Sequence, residues 1–427
     1  MSSATLRLAQ PLHEKVAIAK APVWLSCSLL YLLLILPSYD FRPEADETFG
    51  MDWQLLMRLA LCFACGCYGL LYWRASYSYL SKFPGAWALV FCLWAVVTVP
   101  FAESPTYAAT ACVVLGCVTL FAPALLAQLE QKQILVTIFM ATLTFIVLAW
   151  SLYYLVPSIG RSAYVAGGQI EYRVGDDAQQ LGFQSVWLIA ASLALVGSNF
   201  MRWSHSIVPI SIGLLTIASA QSRTSLATAL AIIGLAILMK APRLHVLKLA
   251  ALGALLSSIA LFAFACGFFA VRGADVLTVA SRSGTQEEIY NVTGRTEFWP
   301  FVLKQIGESP LWGYGYGCSR HALYDFNGNS YEMGQLHHAH NTFLNVMLTT
   351  GIVGVLILGV MYLSLFDGVL RHRQLFPALV LTILVIAGLT ESLLFGPMPR
   401  THTVLWIMAL YWQQSGVEPR ENQRIAT

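Results

Sequence analysis

The chain alternates between long apolar runs and short polar connections. Read against proline, glycine and charged breakers, the runs predict about twelve membrane spans. They lie near 22–37, 51–72, 85–101, 107–127, 134–155, 181–200, 206–221, 224–239, 249–271, 340–365, 377–395 and 402–415. Many of these runs approach the roughly 20 residues that cross a ~30 Å hydrocarbon core. Two polar segments, 156–180 and 272–339, are far longer than the other connections. In the second, Phe298, Trp299, Val302, Leu303 and Ile306 recur at helical spacing, with Lys304 and Glu308 on other faces. That pattern predicts a helix lying on the membrane or capping the bundle, with Pro300 in its first turn. The expected architecture is one all-α polytopic membrane domain over 1–427, with short helices in the larger loop.

Composition sharpens this picture. The chain is 57% hydrophobic and 11% charged, against about 25% charged residues in soluble globular proteins. Most of its surface therefore cannot face water, and a soluble fold is excluded. The first apolar run has no small-residue cleavage site before "DFRPEADE", so it is expected to remain as the first span. A net charge of +3 is too small to predict a nucleic-acid partner. Of nine cysteines, all but Cys318 fall in apolar runs, which predicts no disulfide framework. The "CFACGC" run, 62–67, reads as helix packing rather than as a metal motif.

The position of charge predicts orientation. Arg7, Lys15, Lys20, Arg74, Lys82, Lys132, Arg202, Lys240, Arg243, Lys248, Arg371, Arg373, Arg420 and Arg424 fall on one side, and the short loops of the other side hold only Arg42, Arg223 and Arg400. Both termini are expected to be cytoplasmic. Trp24, Trp53, Trp73, Trp87, Trp203 and Trp412 stand near span ends as expected interfacial anchors. Both long loops then lie outside the cytoplasm, although they carry Arg161, Arg173, Arg272, Arg282, Arg295, Lys304 and Arg320. Cations in that position point to an anionic ligand, or to lipid headgroups and nearby Glu171, Asp176 and Asp177.

Several stretches carry chemistry. "EYRVGDDAQQLG" (171–182) brings Arg173 to the membrane surface, and "SRTS" puts Arg223 at the outer end of a span. A guanidinium is a planar fork of donors that matches phosphate oxygens and stays charged. "GYGYG" (313–317) follows no strand and lacks the Lys-Ser/Thr of a phosphate loop, so it reads as a tight turn. His337, His338 and His340 open the tenth span. With Asp325 or Glu332 they compose a metal site only without recognisable ligand spacing. The other readings are polar span ends, or a general base, since imidazole titrates near neutrality. Asn341 would orient the base or bind a sugar hydroxyl. Gly351 and Gly354 would admit a neighbouring helix. Arg58 and Glu391, both inside predicted spans, are candidates to pair with each other or to line a cavity.

His340-Asn341, nine further residues and Gly351-x-x-Gly354 together resemble the signature of bacterial O-antigen ligases. "RVG" around Arg173, "SRTS" around Arg223, "GRTEFW" around Arg295 and "ESPLWGYGYG" resemble the companion motifs shared with O-antigen polymerases. The resemblance covers roughly 170–395. It implies a GT-C-like membrane glycosyltransferase, metal-independent and without cofactor, at the periplasmic face of the bacterial inner membrane. The implied donor is a polysaccharide on undecaprenyl diphosphate, and the implied acceptor is a hydroxyl of lipid A-core, with membrane lipids around both. The expected catalytic residues are His340 or His338, with Arg223 and Arg173 on the diphosphate. Arg161, Arg295, Asn341, Tyr172, Gln180 and His337 are the expected substrate contacts. The family offers one prominent histidine where this chain has three. An O-antigen polymerase or a protein O-oligosaccharyltransferase would use the same arginines. A lipid-linked sugar transporter would bind diphosphate too, but no internal repeat is found and the polar groups gather at one face.

Overall fold

A computed structural model describes residues 20–38, 53–166, 169–174, 178–240, 295–324 and 338–412. The helices are α1 (Val23–Ile35), α2 (Trp53–Leu71), α3 (Trp73–Leu80), α4 (Ala86–Val97), α5 (Pro105–Gln128), α6 (Gln131–Leu155) and the single turn α7 (Pro157–Gly160). Strands β1 (Arg161–Ala166) and β2 (Gln169–Val174) follow, then α8 (Ala178–Gly197), α9 (Trp203–Ser219) and α10 (Arg223–Lys240). The remaining helices are α11 (Arg295–Glu308), α12 (Ser319–Ala322), α13 (Thr342–His372), α14 (Leu375–Gly388) and α15 (Thr401–Trp412).

Each predicted span coincides with a helix except 249–271, which lies outside the described residues. Five helices, α2, α5, α6, α8 and α13, are long and apolar enough to cross a membrane, and α1, α4, α9, α10 and α14 are shorter apolar helices. Burial shows what solvent they face. From Gln180 to Val196, α8 is buried on every side, as expected for a helix apolar all round at the centre of a bundle. The outer helices instead expose large apolar side chains, among them Leu56, Phe63 and Leu70 on α2, Val147 on α6, and Leu356, Leu363 and Leu370 on α13. Surfaces of that kind belong in hydrocarbon, and the helices support an integral membrane protein. Small residues set close approaches. A Cβ on Gly66 of α2 would lie 2.6 Å from Cys117 Sγ of α5, so "CFACGC" is packing surface.

The structure departs from the sequence reading in particular places. The 156–180 loop holds strands as well as the turn α7: β1 and β2 pair antiparallel as a hairpin, Ser162 opposite Arg173 and Ala163 opposite Tyr172. The span expected over 377–395 ends at Gly388, and residues 389–400 run without helix. Pro300 is the sixth residue of α11 rather than part of its first turn, so the Thr296 carbonyl has no intrahelical donor. On that helix Phe298, Val302 and Ile306 are buried against α13 while Leu303 faces outward. Trp24, Trp53, Trp73 and Trp203 are exposed at helix ends, but Trp412 is buried against Phe376, ring centroids 4.6 Å apart.

Gly351 does not admit a helix. It interrupts α13 at φ 68° and ψ −172°, a backbone region open essentially to glycine alone. The segment after α11 docks into the break: Tyr314 N donates to Leu348 O at 2.9 Å and Ile352 N to Pro310 O at 2.8 Å. Trp94 Nε1 supplies the Thr350 carbonyl at 2.9 Å. A Cβ on Gly351 would collide with the Leu311 carbonyl. Trp312 of the docked segment stacks on Phe101 and Trp94, at 4.6 and 5.4 Å. "GYGYG" is thus a turn pressed into a broken helix. Gly351→Ala is expected to destabilise the protein by about 2–3 kcal/mol, read as a lower midpoint of thermal unfolding in detergent. An unchanged midpoint would show that the docked segment yields.

Candidate functional site

The helix order brings several helix starts to one end of the bundle. The backbone turns tightly between α9 and α10, with Gln221 at φ 52°, and Arg223 becomes the exposed first residue of α10. Ser222 Oγ donates to Ser225 Oγ at 2.8 Å, closing the turn. A Cβ on Gly182 of α8 would meet Ser225 Oγ at 2.6 Å, so α8 and α10 begin in close contact.

The start of α13 is fixed by its own sequence. Asn341 is its N-cap, and its side-chain oxygen accepts from Phe343 N at 2.9 Å and Leu344 N at 3.0 Å, as a short polar cap should. Its amide donates to Leu389 O at 2.9 Å. Asn341, expected as an orienting or sugar-binding residue, is therefore a cap and a clasp. Thr342 Oγ1 donates to Glu391 O at 2.8 Å and accepts from Leu393 N at 3.1 Å. The non-helical 389–393 segment is stitched to 340–342 by these bonds.

That stitching places Glu391 under His340. His340 Nδ1 lies 3.1 Å from Glu391 Oε2, with side-chain exposures of 27% and 5%. Gln179 Nε2, in the first turn of α8, donates to Glu391 Oε1 at 2.9 Å. Thr390 Oγ1 donates to Thr224 Oγ1 at 3.3 Å, tying in the start of α10. Phe298, in the first turn of α11, meets the His340 ring edge to face at 5.9 Å. His340 thus opens α13 against the first turn of α11, and the first turns of α8 and α10 are joined to the neighbouring Glu391 and Thr390.

His340 has φ 46°, uncommon for a side chain with a Cβ and a mark of functional sites. Neighbours hold it there. Ala339 N donates to Asn345 Oδ1 at 3.2 Å, Trp299 Nε1 donates to Ala339 O at 3.0 Å, and Asn341 N donates to Ser392 Oγ at 3.3 Å. His338 lies beside it, ring centroids 4.2 Å apart, and its Nδ1 accepts from His340 N at 3.4 Å.

The other expected residues take varied places. Arg161 starts β1, where Nε donates to Tyr153 O at 2.9 Å and the guanidinium sits 4.5 Å from the Tyr153 ring centroid. Arg173 lies on β2 opposite Ser162, the adjacent Tyr172 is exposed, and β2 packs against α6, α8 and α9. Gln180 is buried in α8. Arg295 is the first residue of α11. His337, Asp325, Glu332, Arg272 and Arg282 lie outside the described residues. Arg58, suggested as a partner for Glu391, donates Nε to Leu36 O at 3.3 Å, beside a cavity of about 260 Å³ lined by Leu36, Trp53, Gln54 and Met57. Glu391 was visible as a charge in an apolar run. Its partners Gln179 and His340, each distant in sequence, were not.

Next to the docked turn, Cys318 is a buried free thiol whose Sγ lies 3.8 Å from Ser104 O. Burial pushes its pKa up to about 11. The nearby His321 imidazole is pushed down, first by burial and then by Arg320. Because the thiolate is the reactive form, a membrane-impermeant maleimide at neutral pH should label Cys318 about 100-fold more slowly in the folded protein than in denaturant. In denaturant it should label without reductant. A requirement for reductant would contradict a free thiol.

Residues 208–359 match the family model described as O-antigen ligase. The match takes in α10, α11 and the α13 start with His340, whereas Gln179 and Glu391 lie outside it. A curated relative, the O-antigen ligase of Pseudomonas aeruginosa, is 34% identical over 143 residues, covering 31% of this chain and 34% of the relative. The chain thus spans about a third of the length of that relative. Over these segments the chain is similar to the O-antigen ligase family.

Proposed function

We propose that this protein transfers a polysaccharide from undecaprenyl diphosphate to a hydroxyl of lipid A-core, at the periplasmic face of the inner membrane. The observation that carries the reading is that helix starts gather around the paired His340 and Glu391 and the adjoining Thr390, two of them headed by arginine, Arg223 on α10 and Arg295 on α11. Each helix N-terminus holds roughly half a positive charge, and an arginine there adds like charge, costing about 0.3–1 kcal/mol. A sequence that accumulates positive potential in this way suits an anion arriving from outside the chain. A lipid-linked diphosphate lying at the membrane surface meets that description.

The chemistry follows from the groups present. His340 Nε2 takes the proton of the acceptor hydroxyl, and the hydroxyl oxygen attacks the anomeric carbon. The bond from that carbon to the diphosphate oxygen breaks, and the electron pair leaves with the diphosphate. Arg223 and Arg173 stabilise the departing charge, with Arg161 and Arg295 beside them. A single displacement inverts the anomeric configuration. These motifs offer no carboxylate pair to support a covalent double displacement. His340 is preferred to His338 as the base. A carboxylate beside Nδ1 keeps the proton of a neutral His340 on Nδ1 and leaves the lone pair on Nε2. In His338 the Nδ1 lone pair accepts a backbone N–H, which places the proton on Nε2.

The test is transfer by the purified chain, supplied with undecaprenyl-diphosphate-linked polysaccharide and lipid A-core, in excess EDTA and without nucleotide. A polysaccharide–lipid A-core conjugate is expected. Longer lipid-linked chains without conjugate would replace the ligase reading by a polymerase. Bound donor with neither product would overturn the transferase reading.

A further inference from the structure

We infer that Glu391 is the positioning residue of this site, holding the His340 ring so that Nε2, and not Nδ1, faces the acceptor hydroxyl. The inference rests on His340 acting as the base. A buried carboxylate is costly unless it is paired and hydrogen-bonded. Glu391 is only 5% exposed, yet it lies in a non-helical segment between two apolar helices. Each of its oxygens is engaged: Oε2 by His340 Nδ1 at 3.1 Å and Oε1 by Gln179 Nε2 at 2.9 Å.

Its backbone is also anchored. Glu391 N donates to Ala387 O at 2.8 Å, in the last turn of α14, and Glu391 O accepts from Thr342 Oγ1 at 2.8 Å. The carboxylate is therefore fixed relative to both α8 and α13, and the imidazole resting on it inherits that orientation. A clasp joining α13 to α14 needs no charge, because Asn341 with Leu389 O, and Thr342 with Leu393 N, already provide one. The carboxylate adds a direction for one ring nitrogen.

In the proposed step the proton leaves the acceptor oxygen for His340 Nε2, and the resulting imidazolium keeps its Nδ1–H on Glu391. The carboxylate neither takes that proton nor touches the sugar. By analogy with the outer groups that orient metal-ligating histidines, its loss is expected to affect activity by about 10- to 100-fold.

The full chain in lipid nanodiscs, labelled with ¹⁵N-histidine, tests this directly. The His340 signals, assigned by their loss in His340→Gln, should show the Nδ1–H tautomer in the wild-type protein above neutral pH. An Nε2–H tautomer there would overturn the inference without any variant. Glu391→Gln should reduce kcat by about 10- to 100-fold with little change in KM for the donor. Glu391→Asp, which keeps the carboxylate, should recover part of the loss. Wild-type kcat in Glu391→Gln would also overturn it. Wild-type protein with the Nδ1–H tautomer but no transfer to either acceptor would leave the pair standing and remove the transferase reading beneath it.

Discussion

Replacing His340 by glutamine is expected to lower turnover by about 100- to 10,000-fold, the range associated with a positioned general base. Glutamine keeps the polarity of the position but cannot take a proton. The same change at His338 should cost less than about tenfold, since its Nδ1 serves the His340 backbone and its neutral proton sits on Nε2. Donor affinity should survive in both variants, because the proposed function assigns the diphosphate to arginines and helix starts rather than to imidazole. Product formation with lipid A-core, measured with binding of the lipid-linked donor, checks all of this. Equal losses at His338 and His340 would mean that the two rings work as one unit. A loss confined to His338 would move the base.

The second large effect is expected at the arginines. Arg223→Lys and Arg173→Lys should each reduce kcat by about 10- to 100-fold, with the double variant near 1,000-fold, as for removal of electrostatic groups aimed at developing charge. Lysine keeps the charge, so a purely long-range role would tolerate the change. A bidentate fork on two phosphate oxygens would not, because an ammonium is a point donor. Arg223 starts α10 next to Thr224, which accepts a hydrogen bond from Thr390 beside Glu391. Arg173 lies on β2, a strand that packs against the bundle. Unchanged turnover in both lysine variants would take these residues out of the site.

Much of the scaffold was legible in the chain alone. Apolar runs long enough to cross a bilayer announce helices because a backbone in hydrocarbon must satisfy its own hydrogen bonds. That constraint is local, so α2, α5, α6, α8 and α13 lie where the hydropathy puts them. The helix over Phe298, Val302 and Ile306 was legible for the same reason, through its period. The hairpin at 161–174 was not. Yet its signals stand in the chain: β2 alternates polar and apolar from Gln169 to Val174, and Gly167-Gly168 separates the two runs, a pattern that a reading by hydropathy spans passes over.

The residue types of the site were also readable in the sequence: arginines at helix starts, and histidines before an apolar run. A guanidinium or an imidazole carries its chemistry wherever it is placed. Only the tertiary structure decided the relations among them. Gly388 ends a helix that the hydropathy carries on to 395, because 389–393 finds better partners in Asn341 and Thr342. Glu391 thereby stops being a charge within a span and becomes the partner of His340. Gly351 likewise reads as a helix-packing residue until the turn after α11 is seen docked into the break it makes. Spans follow from the period and polarity of neighbouring residues. Pairings across 51 and 212 positions, such as His340–Glu391 and Gln179–Glu391, follow from packing alone.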